Sequence, residues 1–308
     1  MGQYWNLVCL DSHQAGGHMG KMSEAIIYAD YPVLIERLLN TCKRPRIRVS
    51  SLRVKLPDSY KTKSFSPIED LPTEILSRIC LFLPTLDDML CFALACYRFL
   101  EIGRRSAAMY ADKGIASWAG KRIICAGDYI RDYPDGLLTE QNKLDMADLN
   151  LYEYAHGFEC PLKLFDPHNH GKISMEYYRR AYCSVEKSPI GSRLLDELLP
   201  NNQPLYAREN NYILLNMTTN EYVCASGIPD SHSNVFSLGH IVLLQTCWSS
   251  DYSMSIRHSV VDLHRGPWAG HCFKITSVED IDSTSTDVSK SVIKKIAQVF
   301  DENRDIFE

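Results

Sequence analysis

Several things are missing from this 308-residue chain. No apolar run approaches the roughly 20 residues that a membrane-crossing helix requires, so no membrane partner is expected. The N-terminus has none of the charged, apolar and cleavage regions of a secretory signal, and Asn6 stands where an acylation signal starting at Gly2 would carry Ser or Thr. The expected location is cytoplasmic, nuclear or both. There is no excess of positive charge either. The 33 basic and 38 acidic residues leave a net charge of −5, which gives no general electrostatic reason to hold nucleic acid. The eleven cysteines include no C-x-x-C pair that would close a zinc site. Scattered from Cys9 to Cys272, they read as small buried hydrophobes of a reducing compartment, and no metal or cofactor is expected.

The composition that is present, 45% hydrophobic and 23% charged, is that of a folded globular protein. A chain of this length buries roughly three quarters of its unfolded surface. Its charge is uneven. Between Lys43 and Lys63, eight basic residues face the single acid Asp58, a local excess of +7 that leaves −12 for the rest. This segment reads as an exposed basic linker over 43–65, separating a first part of the body, 1–42, from the remainder of the chain.

After the linker, Leu71-Pro72-Thr73-Glu74-Ile75-Leu76 opens a helix, since proline suits a first turn and Glu74 complements the positive end of the helix dipole. Pro84 stops it. A second helix is predicted from Thr85 or Asp87 to about Gly103, with Met89, Leu90, Phe92, Leu94 and Phe99 apolar. This hairpin, over 66–104, resembles an F-box at Leu71-Pro72, Glu74-Ile75-Leu76, Ile79, Leu83, Asp88-Met89-Leu90, Leu94 and Arg98-Phe99. It departs from that pattern by an additional residue in the interhelical turn and by Cys96-Tyr97 where a small polar and a basic residue are commoner. The resemblance implies that Leu71, Pro72, Ile75, Leu76, Ile79, Leu83, Met89 and Leu90 bind a Skp-type adaptor and, through it, a cullin. The chain would then be the substrate-recognition subunit of a ubiquitin ligase, presenting an unknown protein and performing no catalysis itself.

The flanking sequence echoes itself. Trp5 to Asp11 resembles Tyr212 to Thr218, Gly17-His18 is answered by Gly239-His240, and Trp118-Ala119-Gly120 by Trp268-Ala269-Gly270, in the same order. We therefore expect an α+β protein with an internally duplicated body, resumed over 105–276 after the inserted hairpin, and a polar linker with a C-terminal helix over 277–308. Gly2-Gln3-Tyr4-Trp5 and Gly127-Asp128-Tyr129 also resemble a family of fungal and microbial proteins, some of which carry an F-box at this place. That resemblance supplies no activity.

Chemistry-bearing residues are few. Asp166-Pro167-His168-Asn169-His170-Gly171 imitates a calcium loop, but Tyr177 occupies the position of the bidentate glutamate, so calcium is not expected. His168 and His170 read as a polar turn. His18 and His240, from equivalent halves, could converge with Asp128 on a shared pocket, which defines the alternative reading: a small-molecule enzyme or ligand-binding protein using a cleft between the halves. The stripe Val288, Val292, Ile296, Val299 and Phe300 marks a C-terminal helix that covers a core, with a docking helix as the alternative.

Overall fold

Continuous apolar runs become strands buried on both faces, and the amphipathic runs become helices around them. A computed structural model describes residues 2–17, 19–29, 31–40, 66–83, 91–93, 95–96, 98–103, 117–160, 212–232, 235–259 and 262–307. The basic segment 43–65, His18, Met89, Leu90 and the residues from Asp166 to Tyr177 lie outside them. The chain divides into two units: a body formed by Met1–Arg44, Ile115–Gly171 and Leu205–Glu308, and a second unit formed by Pro45–Gly114 and Lys172–Pro204.

In the body, β1 (Trp5–Cys9), β2 (Gln14–Ala15), α1 (Met22–Tyr28) and α2 (Tyr31–Leu38) come first. The helix α3 (Thr73–Phe82) belongs to the second unit. The body resumes with β3 (Ile123–Gly127), α4 (Glu140–Met146) and α5 (Leu151–Tyr154), then β4 (Tyr212–Asn216), β5 (Glu221–Cys224), α6 (Leu238–Gln245), β6 (Cys247–Trp248), β7 (Phe273–Ser277), β8 (Thr286–Asp287), α7 (Ser289–Glu302) and α8 (Arg304–Phe307). Two mixed four-stranded sheets result, ordered β2-β1-β3-β6 and β7-β4-β5-β8, so the protein is of the α+β class.

All five residues of β1 and of β3 are buried. Side chains alternate across the sheet, so Trp5, Leu7, Cys9, Ile123 and Cys125 face the main core while Val8, Leu10, Ile124 and Ala126 face a second cluster with Leu137, Met146, Leu151 and Tyr152. Helix α6 is buried at every position, which explains its lack of a polar face. Its Gly239 is required by proximity, because a Cβ there would sit 2.8 Å from the Tyr31 ring. The C-terminal helix α7 buries Ile293, Ile296, Val299 and Phe300 in the main core, so its stripe covers a core. Asp287 accepts the N–H of Ser289 at 2.8 Å, holding the first turn as its position predicts.

The sequence echoes at the strands and at the Trp-Ala-Gly turns carry backbone pairings of the same kind. β1 pairs antiparallel with β3 from Trp5↔Gly127 to Cys9↔Ile123, and β4 pairs antiparallel with β7 from Tyr212↔Ser277 to Asn216↔Phe273. Each Trp-Ala-Gly glycine has positive φ, 73° at Gly120 and 82° at Gly270. The Gly120 N–H donates to Phe273 O at 2.8 Å, and the Gly270 N–H donates to Ile123 O at 2.8 Å. Between them Arg122 bridges Cys272. The Trp118 and Trp268 N–H groups donate to Arg37 O and Gln245 O, each at 3.0 Å, so each tryptophan is bonded to the last turn of a helix, α2 or α6. The residues just after these helices cross over: Leu39 bridges Ile275 in parallel, and Cys247 pairs in parallel with Cys125. The third echo does not correspond. Gly17 has φ 93° in the connection before α1, whereas Gly239 and His240 lie in the first turn of α6.

Candidate functional site

Among the described residues, the first element of the second unit is a 3-10 turn, Pro67–Asp70, after which Leu71-Pro72 turns the chain into α3. Pro72 sits at the cap with φ −53°, close to the value its ring fixes, and its carbonyl accepts the N–H of Ile75 at 3.0 Å and of Leu76 at 3.1 Å. Leu76 and Cys80 point away from solvent into a small core with Phe99 and Ile102, against which Leu71, Ile79, Phe92 and Cys96 pack. The second helix is not continuous as predicted: 91–93 and 98–103 are helical, and 95–96 are not. In an unbroken helix the seven positions from Phe92 to Phe99 would separate the two residues by about 10 Å along the axis. With the break, their rings stack at 4.4 Å.

The break also brings Arg98 back over the start of α3. Its guanidinium donates to Leu71 O at 2.7 Å and to Glu69 O, so one fork holds two carbonyls just ahead of Pro72. Sequence reading placed Arg98 in the motif without giving it this role, because the contact spans 27 positions to Leu71 and no local pattern encodes it.

Of the expected adaptor contacts, Pro72 and Ile75 are exposed, and Leu71, Ile79 and Leu83 are half-buried. Leu76 is the exception. At 0% exposure it is committed to the hairpin's own core and presents nothing outward. Phe82, absent from the expected set, is 86% exposed. It continues the Ile75 and Ile79 row at i, i+4 and i+7, a spacing that places all three on one helix face and could have identified it. Met89 and Leu90 lie outside the described residues.

The pocket expected in the body is not assembled around His240. That ring is fully enclosed, stacked on Tyr31 with centroids 3.4 Å apart and edge-on to Phe300 at 5.5 Å. Its Nδ1 accepts the Ser237 N–H at 3.0 Å, so it serves as the N-terminal cap partner of α6. Asp128 comes directly after β3 and accepts the Tyr4 N–H at 3.2 Å, and among the described residues it shares no hydrogen-bond partner with His240. His18 lies outside the described residues. Among the described residues, no three His, Cys, Asp or Glu side chains gather as a metal site. Burial pushes the thiols of Cys9 and Cys125 upward, the opposite of what activates a nucleophile. Among the described residues, no helix is long and apolar enough to cross a membrane.

Comparison of the chain with protein-family models, with curated proteins and with solved structures finds no match in any of the three.

Proposed function

We propose that the hairpin docks a Skp-type adaptor and that the chain is the substrate-recognition subunit of a Skp-cullin-F-box type ubiquitin ligase. The observation that supports this reading is the division of labour on α3. One face is already satisfied by the hairpin's own core, while Pro72, Ile75 and Phe82 remain exposed on the rest of the helix. Apolar side chains in a row that folding leaves uncovered are the usual mark of a protein contact. Arg98 supports it further by holding the Leu71-Pro72 turn rigid, which lowers the ordering cost of association. In this reading the body is a duplicated α+β domain into which the hairpin unit is inserted. It selects the protein to be ubiquitylated, and the activity arises from effective concentration rather than from local chemistry. Such a subunit works in the cytoplasm, the nucleus or both.

The test is binding of the full chain to a purified Skp-type adaptor. Truncating an apolar anchor at the centre of an interface costs about 2 to 4 kcal/mol, or roughly 30- to 1,000-fold in affinity. The Leu71→Ala, Ile75→Ala double variant should lose adaptor binding to that extent while circular dichroism shows the body still folded. Phe82→Ala, whose side chain is almost wholly outside the fold, should weaken binding without any change in stability. Undiminished binding by the folded variants would overturn the assignment.

A further inference from the structure

The two motifs of the body that the hairpin does not use, Gln3-Tyr4-Trp5 and Gly127-Asp128-Tyr129, meet at one end of the first sheet. Trp5 pairs with Gly127, the Asp128 N–H donates to Tyr4 O at 2.9 Å, and the Tyr4 N–H returns to an Asp128 carboxylate oxygen at 3.2 Å. A third segment is tied to the same place. The Gln3 amide donates to Asp251 O at 2.9 Å and to Ser253 O at 2.8 Å, and its carbonyl accepts the Ser249 hydroxyl at 2.5 Å. Tyr252 is thereby held between two anchored carbonyls. The close packing is enforced at Gly127, where a Cβ would lie 2.3 Å from the Gln3 side-chain oxygen.

These ties bring three tyrosine-bearing segments to the end of the sheet that carries Asp128, and folding leaves all three rings outside: Tyr4 is 50% exposed, Tyr129 51% and Tyr252 75%. Asn6, two positions along β1 from Tyr4 and so on the same sheet face, buries a side-chain oxygen that has no hydrogen-bond partner. Leaving a buried acceptor unpaired costs about 1 to 3 kcal/mol, so a donor there is favoured. Asp251 is near enough to act on the Asp128 carboxyl, and together with burial it raises that group. His264 and Arg131 act on Asp251, whereas Asp128 is favoured by backbone N–H groups. Aromatic faces, a carboxylate and a buried acceptor suit a cation on an apolar stem, with the rings along the stem and the carboxylate on the charge.

We propose that this end of the body is where the captured protein docks, and that it takes a lysine or arginine side chain from a basic segment, with Asp128 as its counter-ion and Tyr4, Tyr129 and Tyr252 as its walls. Calling the ligand the captured protein rests on the function proposed above; the site itself does not. The probe is a fluorescein-labelled twelve-residue peptide alternating arginine and serine, titrated by anisotropy into the full chain, with the glutamate-serine peptide as control and lysine-serine to rank the two cations. The arginine peptide should bind, the glutamate peptide should not, and affinity should fall as salt is raised. Asp128→Asn should weaken binding at least tenfold. Tyr252→Ala, whose side chain supports no core, should weaken it severalfold with unchanged melting temperature. Equal binding of the two oppositely charged peptides, or undiminished binding by both variants, would overturn the proposal. Adaptor binding measured on the same variants keeps the two readings apart. It should be untouched by Asp128→Asn, and the Leu71→Ala, Ile75→Ala variant should bind the peptide normally.

Discussion

His240 shows how a residue with chemical potential becomes a structural one. Burial holds its pKa down, at about 3 against the ordinary 6.5, because the charged ring would lose water and gain no counter-ion between Tyr31 and Phe300. With Nδ1 accepting from Ser237, the ring proton sits on Nε2, and the backbone of Ile26 receives it. This depression sets the direction of the pH dependence. Between about pH 6.5 and 3 the unfolded chain binds a proton at this position and the folded chain does not, so the folded state loses stability as pH falls through that window. His240→Gln keeps an acceptor for the Ser237 N–H and removes the titration. Urea midpoints measured from pH 7.5 to 4 should show the wild type ahead at the upper end and its advantage shrinking towards the lower end. Parallel curves would mean that His240 is not the titrating group.

At the scale of elements, the two Trp-Ala-Gly turns offer a controlled comparison, because the same backbone meets different surroundings. Both glycines have positive φ, where a side chain costs about 1 to 2 kcal/mol. Around Gly120 the nearest atom to an added Cβ is the Met217 sulfur at 3.9 Å, so Gly120→Ala should cost only that strain. At Gly270 the Cβ would stand 2.6 Å from a methyl of Leu137, which is itself buried and has little room to give, so Gly270→Ala should cost more, by about 1 to 3 kcal/mol. Chemical denaturation of the two variants checks the difference, and equal losses would mean that Leu137 moves freely. These turns and the strands they feed were legible from sequence, because a tryptophan, two small residues and then a short apolar run have one dominant physical use when they occur together. The Gly17-His18 and Gly239-His240 match misled, because a glycine may serve a left-handed turn, as at 17, or a close helix contact, as at 239. The break in the second helix of the hairpin and the reach of Arg98 were not legible, since both depend on contacts between residues far apart in the chain.

Across the whole molecule, the crossing of segments explains why the echo is spread so widely through the sequence. Arg37 receives the Trp118 N–H across 81 positions, while Gln245 receives the Trp268 N–H across 23. The longer span holds the hairpin, and the shorter one holds β6. In the reading proposed above the hairpin is an insertion there, which is tolerated because loop-closure entropy grows only slowly with length. It also needs a core of its own, and Leu76, Cys80, Phe99 and Ile102 form a cluster separate from the two clusters of the body. Removing a buried leucine costs about 2 to 5 kcal/mol, a large share of what so small a cluster can supply. Leu76→Ala should therefore raise amide exchange over α3 by several orders of magnitude while β1, β3, β4 and β7 keep their protection, a pattern read by hydrogen-exchange mass spectrometry on the full chain. Exchange that rises equally in the strands would show that the hairpin and the body unfold as one cooperative structure.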